Sequence, residues 1–142
     1  MRILAIDYGL KRIGLAVSST VASMALPLET IEHWGCPEKA ALLIFKKVES
    51  LADISEIVIG WPLHLNGKIS PLCQQIEKLQ AALSSLMATP IVLVDERLTT
   101  KILIDSFKSH GFSRKSTKNH IDQASAVMIL NSHLEKKRLS KI

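Results

Sequence analysis

At 142 residues the chain fits one domain, residues 1–142, with a single core, and its 47% hydrophobic content is that of an ordinary globular protein. No apolar run approaches the roughly 20 residues that span a bilayer, and the start lacks a signal-peptide pattern, so a soluble, cytoplasmic protein with no membrane partner is expected. Cys36 and Cys73 stand far apart with no CxxC or HxxxH spacing, which argues against both a zinc site and a disulfide in a reducing compartment.

The net charge of +5 is unevenly spread. Met1 to Arg97 holds nine Lys/Arg and ten Asp/Glu, a net of −1, whereas Leu98 to Ile142 holds nine and three, a net of +6. Clustered positive charge favours a polyanion such as nucleic acid. With only two Trp, one Tyr and three Phe, base stacking is poorly supplied, so backbone and shape contacts should dominate.

Arg2 to Tyr8 reads as a buried strand, Gly9-Leu10-Lys11 as a turn, and Arg12 to Ser18 as the returning strand of a hairpin. Gly14 within it suggests a close backbone approach or a bulge. Pro27 to Ile31 is a third strand. Pro37 suits the first turn of a helix on which Ala41, Ile44, Phe45, Val48 and Leu51 repeat at helical spacing. Glu56 to Gly60 is a strand, followed by a loop with Pro62 and Asn66-Gly67. Ser70-Pro71 caps a helix with the stripe Leu72, Ile76, Leu79, Leu83 and Leu86. Pro90 ends it, and Ile91 to Val94 is a further buried strand. Thr99 or Thr100 caps a helix to about Ser109, with Gly111 as its stop. A basic loop follows, Ser113-Arg114-Lys115-Ser116, and a last helix runs from about Lys118 to Lys136, apolar from Ala124 to Leu130. The order predicts an α/β fold: a mixed sheet, mostly parallel with an antiparallel hairpin, flanked by helices.

Asp7 closes an otherwise apolar strand, where a carboxylate needs donors or a cation. The same residue type also forms turns. Asp95-Glu96-Arg97 closes the fifth strand similarly, and the two acids would point to opposite faces if the strand continues that far. Asp122 lies near the start of the last helix, with Ser125, Ala126 and Ile129 on its face. Three acidic positions on three separate elements could converge at one end of the sheet. Mg²⁺ and Mn²⁺ prefer such oxygen ligands, and two ions ~3.5–4 Å apart can clamp a phosphodiester. Lys11 and Arg12, close to Asp7, suit a phosphate, as do Arg97 and Thr99 beside Glu96. Arg114, Lys115 and Lys118 extend the basic footprint. His120 reads as an exposed residue at a helix start.

Four segments together resemble the YqgF family, also called RuvX or Holliday-junction-resolvase-like proteins. They are Ala5-Ile6-Asp7-Tyr8-Gly9-Leu10-Lys11-Arg12-Ile13-Gly14-Leu15-Ala16-Val17-Ser18, Ile57-Val58-Ile59-Gly60-Trp61-Pro62-Leu63 with Gly67, Val94-Asp95-Glu96-Arg97-Leu98-Thr99-Thr100, and Ile121-Asp122-Gln123-Ala124-Ser125-Ala126-Val127-Met128-Ile129-Leu130. The resemblance implies a ribonuclease-H-like five-stranded sheet of order 3-2-1-4-5 with helices on both faces. It implies a metal-dependent nuclease that trims the 5′ end of pre-16S rRNA in ribosome biogenesis. Its catalytic acids would be Asp7, Glu96 and Asp122, with Asp95 as the other candidate metal ligand. Mg²⁺ or Mn²⁺ is the implied cofactor. Structured RNA, branched DNA and pre-ribosomal particles are the implied partners of a monomer or weak homodimer. The chain departs from the family pattern at Trp61, His64 and Asn66, where Leu, Asn and Asp are expected, and at Ser125, where Ala is more usual. Relative to RuvC resolvases, the fourth strand ends in Gly60-Trp61 rather than Glu. Competing readings are a Holliday-junction resolvase, a non-catalytic RNA-binding assembly factor, and an actin-like ATPase, for which 142 residues supply only one lobe.

Overall fold

A computed structural model describes residues 1–19, 24–33, 35–62, 72–95 and 114–140, with side chains of the last helix described over 124–137. The elements in chain order are β1 (Arg2–Tyr8), β2 (Arg12–Ser18), β3 (Ala25–Glu32), α1 (Pro37–Leu51), β4 (Ile54–Trp61), α2 (Leu72–Leu86), β5 (Ile91–Asp95) and α3 (Arg114–Ser140). The five strands form one sheet of order β3-β2-β1-β4-β5. β1, β2 and β3 pair antiparallel, and β4 runs parallel to both β1 and β5. This is the expected order. Ser70-Pro71 and the helix from Thr99 or Thr100 to Ser109 lie outside the described residues.

The alternation of side chains along each strand separates two apolar layers. Leu4, Ile6 and Tyr8 of β1, Ile13 and Leu15 of β2, and Ile57 and Ile59 of β4 join α1 and α2 in the first. Ile3, Ala5, Ala16, Val58 and Val94 join Ala126, Ile129, Leu130 and Leu134 of α3 in the second. Ala5 and Ala16 are cross-strand partners. With Ala126, they are fully buried, and their small volume lets α3 lie close to the sheet.

α1 starts on Pro37, whose missing N–H is one the first turn cannot satisfy anyway. Ala40, Ala41 and Ile44 are buried on its inner stripe, and Val48 packs against it. It ends at Ala52, left-handed at φ 65°, whose N–H reaches the Val48 carbonyl at 3.1 Å. In the next turn Asp53 receives the Arg2 guanidinium through Nε and Nη2 at 2.8–2.9 Å, tying the start of β1 to the end of α1. Cys36 and Cys73 form no disulfide. No helix among the described residues is long and apolar enough to cross a membrane.

Two boundaries differ from expectation in an instructive way. β3 begins at Ala25 rather than Pro27, because a bulge between Leu15 and Ala16 keeps it paired along the whole of β2. α3 begins at Arg114, so Arg114-Lys115-Ser116 is helical rather than a loop. No Gly or Pro interrupts the sequence from Ser113 to Ser140, and Arg and Lys are good helix formers.

Candidate active site at the carboxyl end of the sheet

β1, β4 and β5 run in the same direction, and their carboxyl ends form one edge of the sheet, where ligand sites of open α/β sheets lie. Asp7 stands there, half-buried, on the face that carries Ile3 and Ala5 and is covered by α3. Its partner on β2 is Gly14, which faces Thr30 on β3. On the other side Ile6 is level with Ile59, so Asp7 falls level with Gly60, itself paired with Val94. Asp7 therefore lies in a trough between two glycine positions, neither of which places a side chain beside it. β5 lies two strand spacings away, about 10 Å, a gap that two carboxylates sharing one cation can bridge over Gly60.

Strand alternation separates the two acids at the end of β5. Val92 and Val94 belong to the layer under α3, whereas Ile91 packs in the opposite layer. Asp95, the exposed last residue of the strand, falls in alternation with Ile91, on the face opposite Asp7. Glu96, Arg97 and Thr99 lie outside the described residues.

α3 is fastened at the amino end of the sheet. His133 and Lys137 both contact the Glu56 carboxylate, the lysine at 3.1 Å, and Glu56 is level with Ile3. Burial pushes the Glu56 carboxyl up, but hydrogen bonds from His133 and Lys137 outweigh it and hold the group below its ordinary value. From this anchor the apolar contacts of α3 extend toward Val94, so the helix runs antiparallel to β1. Asp122 precedes His133 by eleven residues, about 16 Å of helix, and Asp7 follows Ile3 by four, about 13 Å of strand. The backbone at Asp122 thus reaches the level of Asp7. The side chains of Asp122, Arg114, Lys115, Lys118 and His120 lie outside the described residues.

Among the described residues, three buried polar atoms on this face have no hydrogen-bond partner: Arg12 Nη1, Thr30 Oγ1 and Ser125 Oγ. By register, Arg12, Gly14, Glu32 and Thr30 share the face of Asp7. Ser125 is three residues beyond Asp122. Such atoms are costly to bury unpaired and concentrate where a ligand completes them. No group of three His, Cys, Asp or Glu side chains among the described residues forms a metal cluster, the side chains of Glu96 and Asp122 being outside that set.

The hairpin tip beside Asp7 is rigid. Gly9 N–H donates to the Arg12 carbonyl at 2.8 Å, and a Cβ on Gly9 would sit 2.7 Å from that oxygen. His33, 6% exposed, accepts the Gly35 N–H on Nδ1 at 3.2 Å, so its proton is on Nε2, which donates to the Gly9 carbonyl at 2.6 Å. Its ring packs on Tyr8, centroids 4.9 Å apart, and Tyr8 donates to Gln75 of α2 at 2.9 Å. Burial raises the Tyr8 phenol above its ordinary value, keeping it a neutral donor. Thr30, Glu32 and His33 carried no signal in the sequence, because only the fold sets Thr30 beside Gly14, Glu32 beside Arg12 and His33 against Gly9.

Comparison with known proteins agrees with this fold. A protein of Chloroflexus aurantiacus named "Putative pre-16S rRNA nuclease" is 35% identical over 136 residues, covering 96% of this chain and 88% of that one. A protein of the same name from Geobacillus thermodenitrificans is 35% identical over 141 residues, covering 97% of this chain and all of the relative. Among solved structures, T. thermophilus RuvC in complex with a Holliday junction substrate superposes with a TM-score of 0.59 at 14% identity, covering 99% of this chain and 96% of that one, which shows a shared fold. The RuvX family model, described as Holliday junction resolvase, matches residues 1–136, and the chain belongs to that family.

Proposed function

We propose that the chain is a metal-dependent nuclease that hydrolyses phosphodiester bonds in structured RNA and processes the 5′ end of pre-16S rRNA in the cytoplasm. The observation that carries this reading is Asp7 in its glycine-flanked trough, level with the α3 position of Asp122. A carboxylate there, with the unpaired hydroxyl oxygens of Thr30 and Ser125 on the face that α3 covers, fits a hard, oxygen-seeking cation such as Mg²⁺ or Mn²⁺. In this reading Asp7, Glu96 and Asp122 hold the cation. Side-chain alternation along β5 favours Glu96 over Asp95 for that role. When bound, the cation supplies Lewis acidity at the phosphoryl oxygens and lowers the pKa of the attacking water.

Lys11 and Arg12 bind the substrate's phosphate backbone on the β2 side of Asp7 and offset the repulsion between carboxylates and substrate. Arg97 and Thr99 do the same at the end of β5, and Arg114, Lys115 and Lys118 carry the flanking backbone. The names of the curated relatives support the RNA substrate and a role on pre-ribosomal particles. The test is cleavage of a pre-16S rRNA fragment with Mn²⁺ by the wild type and by Asp7→Asn. Wild-type cleavage, lost in a variant that melts at an unchanged temperature, is the expected result. A wild type that binds the RNA but never cuts it would overturn the proposal.

A further inference from the structure

At the tip of the β1–β2 hairpin, on the side of Asp7 away from β5, lies a cavity of about 430 Å³ lined by Leu10, Lys11, Arg12, Glu32, His33 and Gly35. That volume is in the range of small-ligand pockets. Its walls are of three kinds. Lys11 and Arg12 bring two cations. Arg12 and Glu32 are cross-strand partners, yet no ion pair joins them, and Arg12 Nη1 is buried without an acceptor. A guanidinium so placed lacks its counter-charge. His33 has both ring nitrogens occupied and serves as a fixed wall. Gly35, at φ 78°, keeps the remaining side open, with nothing within 4 Å of where its Cβ would be.

Two cations beside one unpaired carboxylate match the two ends of a nucleotide: a phosphate for the cations and a hydroxyl donor for the acid. We propose that this cavity is a ribonucleotide subsite of the substrate strand, in which Lys11 and Arg12 hold a phosphate away from the one being cleaved and the Glu32 carboxylate accepts a hydrogen bond from the ribose 2′-OH. The 2′-OH is the group by which a protein tells RNA from DNA at a given position. The strand then crosses the carboxyl edge of the sheet from β5, over Asp7, to the outer edge formed by β2 and β3. This rests on the nuclease reading for the direction of the strand, but its chemistry is testable without cleavage.

The experiment is fluorescence anisotropy with the full chain in EDTA, using a labelled oligoribonucleotide and the deoxy strand of the same sequence. The wild type is expected to prefer RNA, and Glu32→Ala to lose about fivefold of that preference, the worth of one hydrogen bond. Arg12→Gln and Lys11→Ala should weaken both strands alike and each reduce the salt slope by about one. Glu32→Ala that tightens RNA and DNA equally would mean that the carboxylate only repels phosphate, and it would overturn the subsite, as would a wild type with no RNA preference. A wild type that shows the preference but never cleaves with Mn²⁺ would remove the nuclease reading and leave the subsite standing.

Discussion

Replacing His33 by Ala should destabilise the protein by about 2–4 kcal/mol. The magnitude follows from what the ring touches. Its Nε2–H bond to the Gly9 carbonyl, at 2.6 Å, contributes about 1 kcal/mol, and the weaker bond from Gly35 N–H, at 3.2 Å, somewhat less. Removing a side chain that is 6% exposed and packed on Tyr8 leaves a cavity that adds the rest. Urea denaturation followed by far-UV circular dichroism measures the change at constant m value. A loss under about 0.5 kcal/mol, the range of ordinary surface substitutions, would refute the claim that His33 fixes the hairpin tip. His33→Asn, which keeps a donor, should recover part of the loss.

Ala52→Gly should stabilise by up to about 1 kcal/mol, since Ala52 holds a left-handed conformation that glycine adopts without strain; a lower thermal midpoint would refute it. Glu56, held below its ordinary value of 4.5 by His133 and Lys137, contributes stability that is fully present above that pH and is lost as the pH falls toward the lowered native value. Glu56→Gln should therefore flatten the acid limb of a stability profile, and an unchanged limb would show that the cluster titrates without consequence. Gly60→Val puts a branched side chain beside Asp7 and should cut cleavage by about a hundredfold, with the circular dichroism spectrum retained; full activity would mean that the trough is not where the cation and substrate meet.

The apolar strand Arg2–Tyr8, the hairpin and the stripe of α2 were all legible in the sequence, because each buries residues at the period of its own element. The strand order followed from the resemblance, not from periodicity. What the sequence left open was lateral. It could not say that Gly14, the partner of Asp7, pairs in turn with Thr30, since a bulge resets the β2–β3 register. Nor did it show that Asp95 points to the face opposite Asp7, which follows once Val94 is fixed on the α3 face. His33 was silent, as any lone histidine is, until its two nitrogens were seen to bond the backbone of Gly9 and Gly35. The start of α3 was misjudged because a cluster of Ser, Arg and Lys resembles a loop, although nothing in it breaks a helix.

α3 is pinned to Glu56 near its carboxyl end, while Asp122 lies eleven residues upstream along the same rod. The helix therefore acts as a gauge whose length and phase set where that acid stands. Substitutions on its outer side, such as at Asn131 or Ser132, leave the gauge intact. One inserted residue between Ala126 and His133 would swing Asp122 by about 100° and raise it by about 1.5 Å, with every other acid still in place. On the proposed site, the spacing of this helix matters as much as the identity of its residues.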